Sequence, residues 1–281
     1  MGRAGGFLKI LRPINSFMIG IGILVGVVIA GGLRSSISLE ILVLAFVTGF
    51  TLTGSAMVIN DYFDKEIDAV NEPNRPIPSG EVKPNEAVSY SVLLSVIGLA
   101  AAYLTSLPNL VIAVFSWLVM MVYSAWGKRT GFLGNLLVST CIGLPFVYGG
   151  AIAGDLSTSL LFSALAFLSN TGREVTKGIV DTEGDASRGV KTIAVAHGVD
   201  KAAYLASVFY LVAASASILP LLLGLVSLWY IPFVVVTDAG LVYCTITLLR
   251  DHGRESSRRV KNQVLYWMLF GLLAFAAGTL L

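Results

Sequence analysis

The sequence predicts an all-α, polytopic membrane protein: nine transmembrane helices in a bundle, with a pseudo-repeat of two four-helix halves. Three observations carry this. Hydrophobic residues make up 56% of the chain and charged residues only 13%, whereas a soluble domain carries roughly 25% charged residues. The mean hydropathy is +0.81. Nearly the whole chain divides into apolar runs of about 20 residues, the length that crosses a bilayer.

The first run, 13–32, follows Arg3, Lys9 and Arg12. That layout imitates a signal peptide, but the run is long and further runs follow directly, so it reads as a retained helix. The second run, 40–61, ends where a group of acids begins. The third and fourth, 87–106 and 108–126, meet at Ser106–Pro108. The fifth, 133–153, contains Pro145, which is expected to kink it. The sixth, 157–180, ends among charged residues. Tyr204 to Leu249 is almost uninterrupted and divides near Gly224 into 201–220 and 226–249. The ninth run is 261–281. The whole of 1–281 reads as a single domain, with 13–126 as its first half, 133–249 as its second and the ninth helix apart.

Lys and Arg set the orientation. An inside N-terminus places 1–12, 62–86, 127–132, 181–200 and 250–260 on the cytoplasmic side, and nearly all Lys and Arg fall in or beside these segments; Arg34 is the clear exception. The expectation is a multi-pass cell-membrane protein with a cytoplasmic N-terminus and an external C-terminus. The net charge of +2 reflects this bias and implies no nucleic-acid partner. No protein partner is implied either. Cys141 and Cys244 lie inside spans and suit neither a disulfide framework nor a metal site.

Acidic residues cluster. Asp61, Asp64, Glu66, Asp68, Glu72, Glu81 and Glu86 form one window, and Glu174, Asp181, Glu183, Asp185 and Asp200 a second. Both begin at the cytoplasmic end of an even-numbered helix. Four spans separate them, and an even number gives a parallel repeat. On a helix, Asn60 shares a face with Asp64, and Asp61, Asp64 and Asp68 share another at i, i+3, i+7. Like charges so placed repel unless a cation sits among them. Oxygen ligands without nearby His or Cys favour Mg2+ or Ca2+ over zinc. Asp181 and Asp185 repeat the logic at i, i+4.

Cations accompany the acids: Arg75, Lys83, Lys128, Arg129, Arg173, Lys177, Arg188 and Lys191. A diphosphate needs metal and several cations, because negative charge develops on it as a leaving group. Arg173, Lys177 and Asp181 recur at i, i+4 along one face. Arg173 lies about two turns inside the membrane, where an ionisable group marks a functional site. Arg129, Arg254, Arg258 and Arg259 read as positive-inside residues.

These residues resemble a known family. NDYFDKEIDAVNEPNRPIPSG (60–80) is similar to the first aspartate-rich motif of the UbiA prenyltransferase superfamily, and REVTKGIVDTEGDASRGVKTIAVAHG (173–198) to its second. The RPIPSG tail also occurs in chlorophyll synthases; the RE…K…D…GD arrangement most resembles the archaeal ether-lipid members. The resemblance implies that Mg2+ binds a prenyl diphosphate between the motifs. It implies metal ligands at Asn60, Asp61, Asp64, Asp68, Asp181 and Asp185, and catalytic roles for Asp61, Asp64, Asp181 and Tyr123. Substrate-binding candidates are Asn60, Arg75, Lys128, Arg173, Lys177 and Asn15. Tyr123, Ser124 and Lys128 resemble the family's fourth-helix tyrosine and lysine. Two positions depart from the pattern: Gly127 replaces an apolar residue before that lysine, and Gly178 replaces an aspartate after the lysine of the second motif.

The implied reaction moves geranylgeranyl from its diphosphate to geranylgeranylglyceryl phosphate, forming an ether. Membrane lipids surround the enzyme. Tyr62, Tyr123, Phe146 and Tyr148 lie at a depth where a ring face could meet a carbocation. Asp238, near the middle of the eighth run, either lines a cavity or pairs with a cation. Asn15 and Asn135 either cap helices or face the cavity. Gly22/Gly26 and Gly150/Gly154 are small-xxx-small pairs that suit close helix packing. His197 and His252 carry no ligand pattern. Two alternatives stand: a prenyltransferase acting on a quinone precursor, haem or chlorophyllide, and a membrane transporter. Transport sites lie at the bilayer midplane, whereas these acids gather at one membrane face.

Overall fold

A computed structural model of the protein describes residues 3–32, 36–187 and 189–281; Arg34 and Arg188 lie outside the described residues. The described chain is all-helical: α1 (Arg3–Leu11), α2 (Pro13–Ile29), α3 (Leu39–Asn71), α4 (Pro84–Thr105), α5 (Leu107–Ala125), α6 (Phe132–Ala153), α7 (Leu156–Val180), α8 (Thr182–Ser187), α9 (Ile193–His197), α10 (Val199–Ala216), α11 (Leu219–Leu222), α12 (Tyr230–Arg250) and α13 (Arg254–Leu280).

Seven of these helices are long and apolar enough to cross a membrane, and the α1–α2 pair, bent by 42°, makes an eighth. The bend falls at Arg12–Pro13. Pro13 supplies no N–H and its ring disfavours a helical residue before it. Arg12 takes φ 49°, the one positive φ at a non-glycine among the described residues.

Two elements differ from the sequence expectation for one reason: polar side chains find partners inside the bundle. α3 does not stop at residue 61 but runs 33 residues to Asn71, with Arg12, Arg75 and Lys128 from elsewhere pairing its acids. α7 covers the sixth apolar run as a 25-residue helix, yet it lacks the apolarity of the other seven. Its polar residues are buried against α6 and α10: Ser163 Oγ donates to the Gly143 carbonyl at 2.8 Å, Asn170 Nδ2 to Ser139 Oγ at 3.1 Å, and Thr176 Oγ1 shares a 2.8 Å bond with the Tyr210 hydroxyl. α3 and α4 join similarly, with Ser55 Oγ 2.8 Å from both Ser91 Oγ and Ser95 Oγ. Such bonds hold helices together where lipid gives apolar faces no reason to separate from it. Outward-facing apolar residues such as Val92, Leu104, Leu118, Val235 and Leu269 stay exposed, as contact with hydrocarbon requires.

Glycines set the closest approach, between α2 and α6. A Cβ on Gly26 would lie 2.8 Å from Phe146 Cα, and one on Gly149 would run into the Ile23–Val27 backbone. Gly22 and Gly150 also face neighbouring helices, while Gly154 ends α6 at φ 82°. α6 is continuous through Pro145. Gly149→Val should therefore destabilise the bundle by about 2–3 kcal/mol, read as a fall of several degrees in Tm in detergent; an unchanged Tm would contradict the packing.

Candidate active site

The first acidic motif lies on the C-terminal end of α3. Asn60 Nδ2 donates to Asp64 Oδ2 at 3.0 Å, as their i, i+4 spacing suggests. Lys128 reaches both: Nζ is 3.5 Å from Asn60 Oδ1 and ion-pairs with Asp64. Lys128 stands on a tight turn, Gly127–Arg129, between α5 and α6. Gly127 makes that turn fit, since a Cβ there would meet Leu137 Cδ1 at 2.6 Å. The departure at 127 is thus a packing feature that leaves Lys128 in place.

The single face drawn through Asp61, Asp64 and Asp68 is split in the structure. Asp61 is 3% exposed and takes Arg12 Nη2 at 2.7 Å and Arg75 Nη1 at 3.6 Å. Asp68 takes Arg75 Nη1 at 2.6 Å. Burial draws the Arg75 pKa down, but the bond from Asp68 and the charges of Asp61, Asp68 and Glu72 outweigh it, and the net shift is upward. Asp61 and Asp68 therefore hold arginines; Asn60 and Asp64 line the cavity. Arg75→Met would strand the buried carboxylate of Asp68 and leave Asp61 with Arg12 alone. It should cost about 2–3 kcal/mol of stability, the upper range for buried pairs being discounted because Arg75 is partly exposed. Asp68→Asn combined with Arg75→Met should recover part of the loss in the same thermal melt.

The second motif lies where α7 ends. Asp181 caps α7, and Asp185 follows one turn later, its N–H donating to the Asp181 carbonyl at 2.8 Å. Glu174 is 8% exposed; its two oxygens accept from Arg173 Nη1 at 2.9 Å and Lys177 Nζ at 3.4 Å. Gly131 joins the motifs: at φ 64°, it passes so close to the Lys191 carbonyl that a Cβ would overlap it.

Two neighbouring spaces result. A polar one of about 110 Å3 is lined by Glu174, Lys177, Gly178, Asp181, Asp185 and Asn135, together with Tyr123 and Lys128. Tyr123 and Lys128 also line an apolar cavity of about 460 Å3 between α2, α3, α5 and α6, within the size range of cavities that enclose lipid-sized or drug-sized ligands. Arg12, Asn60 and Asp64 rim it, and Ile23, Leu52, Ala113 and Tyr148 lie deeper. Gly178 keeps the polar space open where an aspartate was expected.

Some candidates lie elsewhere. Asn15 is exposed and on neither wall. Arg173 touches Glu174 and lines neither space. Tyr62 packs edge-on against Phe63 beneath Lys65. Phe146 and Asp238 line a separate apolar cavity of about 250 Å3, where Ser217 Oγ donates to Asp238 Oδ2 at 2.7 Å. His252 pairs with Asp200 at 2.7 Å. Two site residues escaped the sequence reading: Arg12, taken as a positive-inside residue, and Glu174, counted only as part of an acidic window.

Among the described residues no three His, Cys, Asp or Glu side chains form a ready-made metal cluster. The acidic and amide side chains that face the two spaces, Asn60, Asp64, Asn135, Glu174, Asp181 and Asp185, nevertheless offer oxygens, with Lys128 and Lys177 among them. That suits Mg2+, which takes one or two carboxylates and completes its shell with water and phosphate; it does not suit a metal bound by protein alone.

Residues 19–277 match the UbiA prenyltransferase family. The digeranylgeranylglyceryl phosphate synthase of Methanothermobacter thermautotrophicus is 38% identical over 97% of this chain and 95% of its own. That of Thermococcus kodakarensis is 34% identical over 98% of each. A solved structure of a digeranylgeranylglyceryl phosphate synthase superposes with a TM-score of 0.92 at 30% identity, over 99% of both chains. A UbiA homolog from Archaeoglobus fulgidus bound to DMAPP and Mg2+ shares the fold, with a TM-score of 0.74 at 18% identity over 96% of this chain and 98% of its own.

Proposed function

The chain belongs to the UbiA prenyltransferase family, and from that premise we propose that it is an Mg2+-dependent enzyme that moves a geranylgeranyl group from geranylgeranyl diphosphate to geranylgeranylglyceryl phosphate, releasing diphosphate. One observation carries the reading: the second acidic motif borders a polar space, Asn60 and Asp64 of the first border an apolar cavity, and the two spaces share Tyr123 and Lys128 in their lining. A prenyl diphosphate has the same polarity, charged at one end and apolar along the rest. The synthases named above support the lipid acceptor.

In this scheme Asn60, Asp64, Asp181 and Asp185 hold the Mg2+, which when bound neutralises charge on the departing diphosphate. Lys128 and Lys177 donate charge-assisted hydrogen bonds to diphosphate oxygens. Asp61 fixes Arg12 at the edge of the apolar cavity, and Asp61 and Asp68 together hold Arg75. Tyr123, which lines both spaces, would offer its ring face to the allylic carbon, where positive charge develops. The prenyl tail lies between α3 and α5, out of water.

The domain arrangement belongs to the same proposal. α7, at about 1.5 Å per residue, is long enough to span the roughly 30 Å core, which makes nine crossings with α1–α2 counted as one. The two halves repeat in parallel, residues 13–126 and 133–249, with α13 apart. The N-terminus and the site face the cytoplasm and the C-terminus the outside of the cell membrane, in keeping with the Lys and Arg distribution. The partners are a prenyl diphosphate, a lipid acceptor and membrane lipids.

The test incubates purified protein with geranylgeranyl diphosphate, Mg2+ and one acceptor at a time: geranylgeranylglyceryl phosphate, a quinone-ring precursor, haem or chlorophyllide. Diphosphate release only with the glycerophosphate lipid is the expected result. Release with a ring acceptor instead would overturn the acceptor assignment, and solute counterflow in vesicles without any release would favour a transporter.

A further inference from the structure

An ether-forming transfer must dispose of the acceptor's hydroxyl proton, and we propose that Glu174 accepts it. The inference rests on the ether-forming reading above. Glu174 is buried, unlike Glu183 beside it in the motif, and it borders the polar space that Tyr123 and Lys128 also line. Arg173 and Lys177 each occupy one lone pair of its two oxygens. A carboxylate offers about four such sites, so acceptor capacity remains on a side chain that lines the space. Asp64, Asp181 and Asp185 are assigned to the metal, and a neutral tyrosine such as Tyr123 is a poor base.

The step balances. A lone pair of the glycerol hydroxyl oxygen forms the new bond to the first carbon of the prenyl chain. The bond from that carbon to the diphosphate oxygen breaks, and its electron pair leaves with the diphosphate. The hydroxyl proton passes to a Glu174 oxygen and then to water. Arg173 and Lys177 anchor the direction of Glu174.

Two measurements on the full-length protein in detergent test this. In Glu174→Gln, ether formation should fall about 100-fold or more, the range of general-base catalysis. Geranylgeranyl diphosphate should still bind with Mg2+ within about threefold of the wild-type Kd, and the donor that is consumed should be captured by water, giving geranylgeraniol. Glu174→Asp should restore part of the ether formation. Wild-type ether formation in Glu174→Gln would overturn the proposal. So would a parallel collapse of donor binding, which would make Glu174 a scaffold for Arg173 and Lys177. A wild-type protein that forms no ether with the glycerophosphate lipid would overturn the functional reading itself, and this inference with it.

Discussion

Asp64→Ala and Asp181→Ala should each reduce Mg2+-dependent transfer by about 1,000-fold or more, at the upper end of what removing one charge-stabilising group costs. The two residues come from α3 and the end of α7, far apart in the chain; Asp64 lines the apolar cavity and Asp181 the neighbouring polar space. Each carries part of a shared charge balance. Without Asp64, Lys128 loses its ion pair and one wall loses its metal-facing carboxylate. Without Asp181, the polar space keeps only Asp185 and Glu174 of its carboxylates. Groups that act as a unit are not additive, so the double variant should be no slower than either single one. Neither carboxylate lies in a core cluster, and both proteins should insert and melt near the wild-type Tm. Wild-type turnover in either variant would remove that motif from the mechanism.

Ala113→Trp should change which donor is used. Ala113 is 1% exposed and lies deep in the apolar cavity, away from the charged rim. An indole there shortens the space for the tail without touching the diphosphate site. Losing the burial of several methylene groups, at about 0.8 kcal/mol each, predicts at least a 100-fold fall in kcat/KM for geranylgeranyl diphosphate. A five-carbon donor, whose chain would not reach Ala113, should lose far less. Competition between the two donors reads this directly. Equal losses would mean that the tail leaves the site by another route, through the bundle side.

Much of this was legible in the sequence because the signals are local. Apolar run lengths located the helices, and i, i+4 spacing paired Asn60 with Asp64. The charge clusters marked both motifs, and Lys128 was found despite Gly127. What was not legible depends on distant partners. Nothing near Asp61 or Asp68 shows that Arg12 and Arg75 will claim them, so the three-aspartate face looked uniform. Arg12 resembled any basic residue before a first span, and only the break at Pro13 hinted that its backbone is special. α3 outran its apolar segment because its acids are neutralised across the fold. α7 looked like the other spans in length, but its buried Ser, Thr and Asn partners lie on α6 and α10. Glu174 was hidden by its company: in an acidic window, the one buried member reads like the rest.

The central claim is that both motifs together bind a Mg2+–prenyl diphosphate. Equilibrium binding of geranylgeranyl diphosphate to the purified protein, by calorimetry with Mg2+ and then with EDTA, tests it most directly. The account predicts binding that requires Mg2+ and that weakens about 100-fold or more in Asp64→Ala and in Asp181→Ala alike. Binding that persists in EDTA, or that survives in either variant, would contradict it.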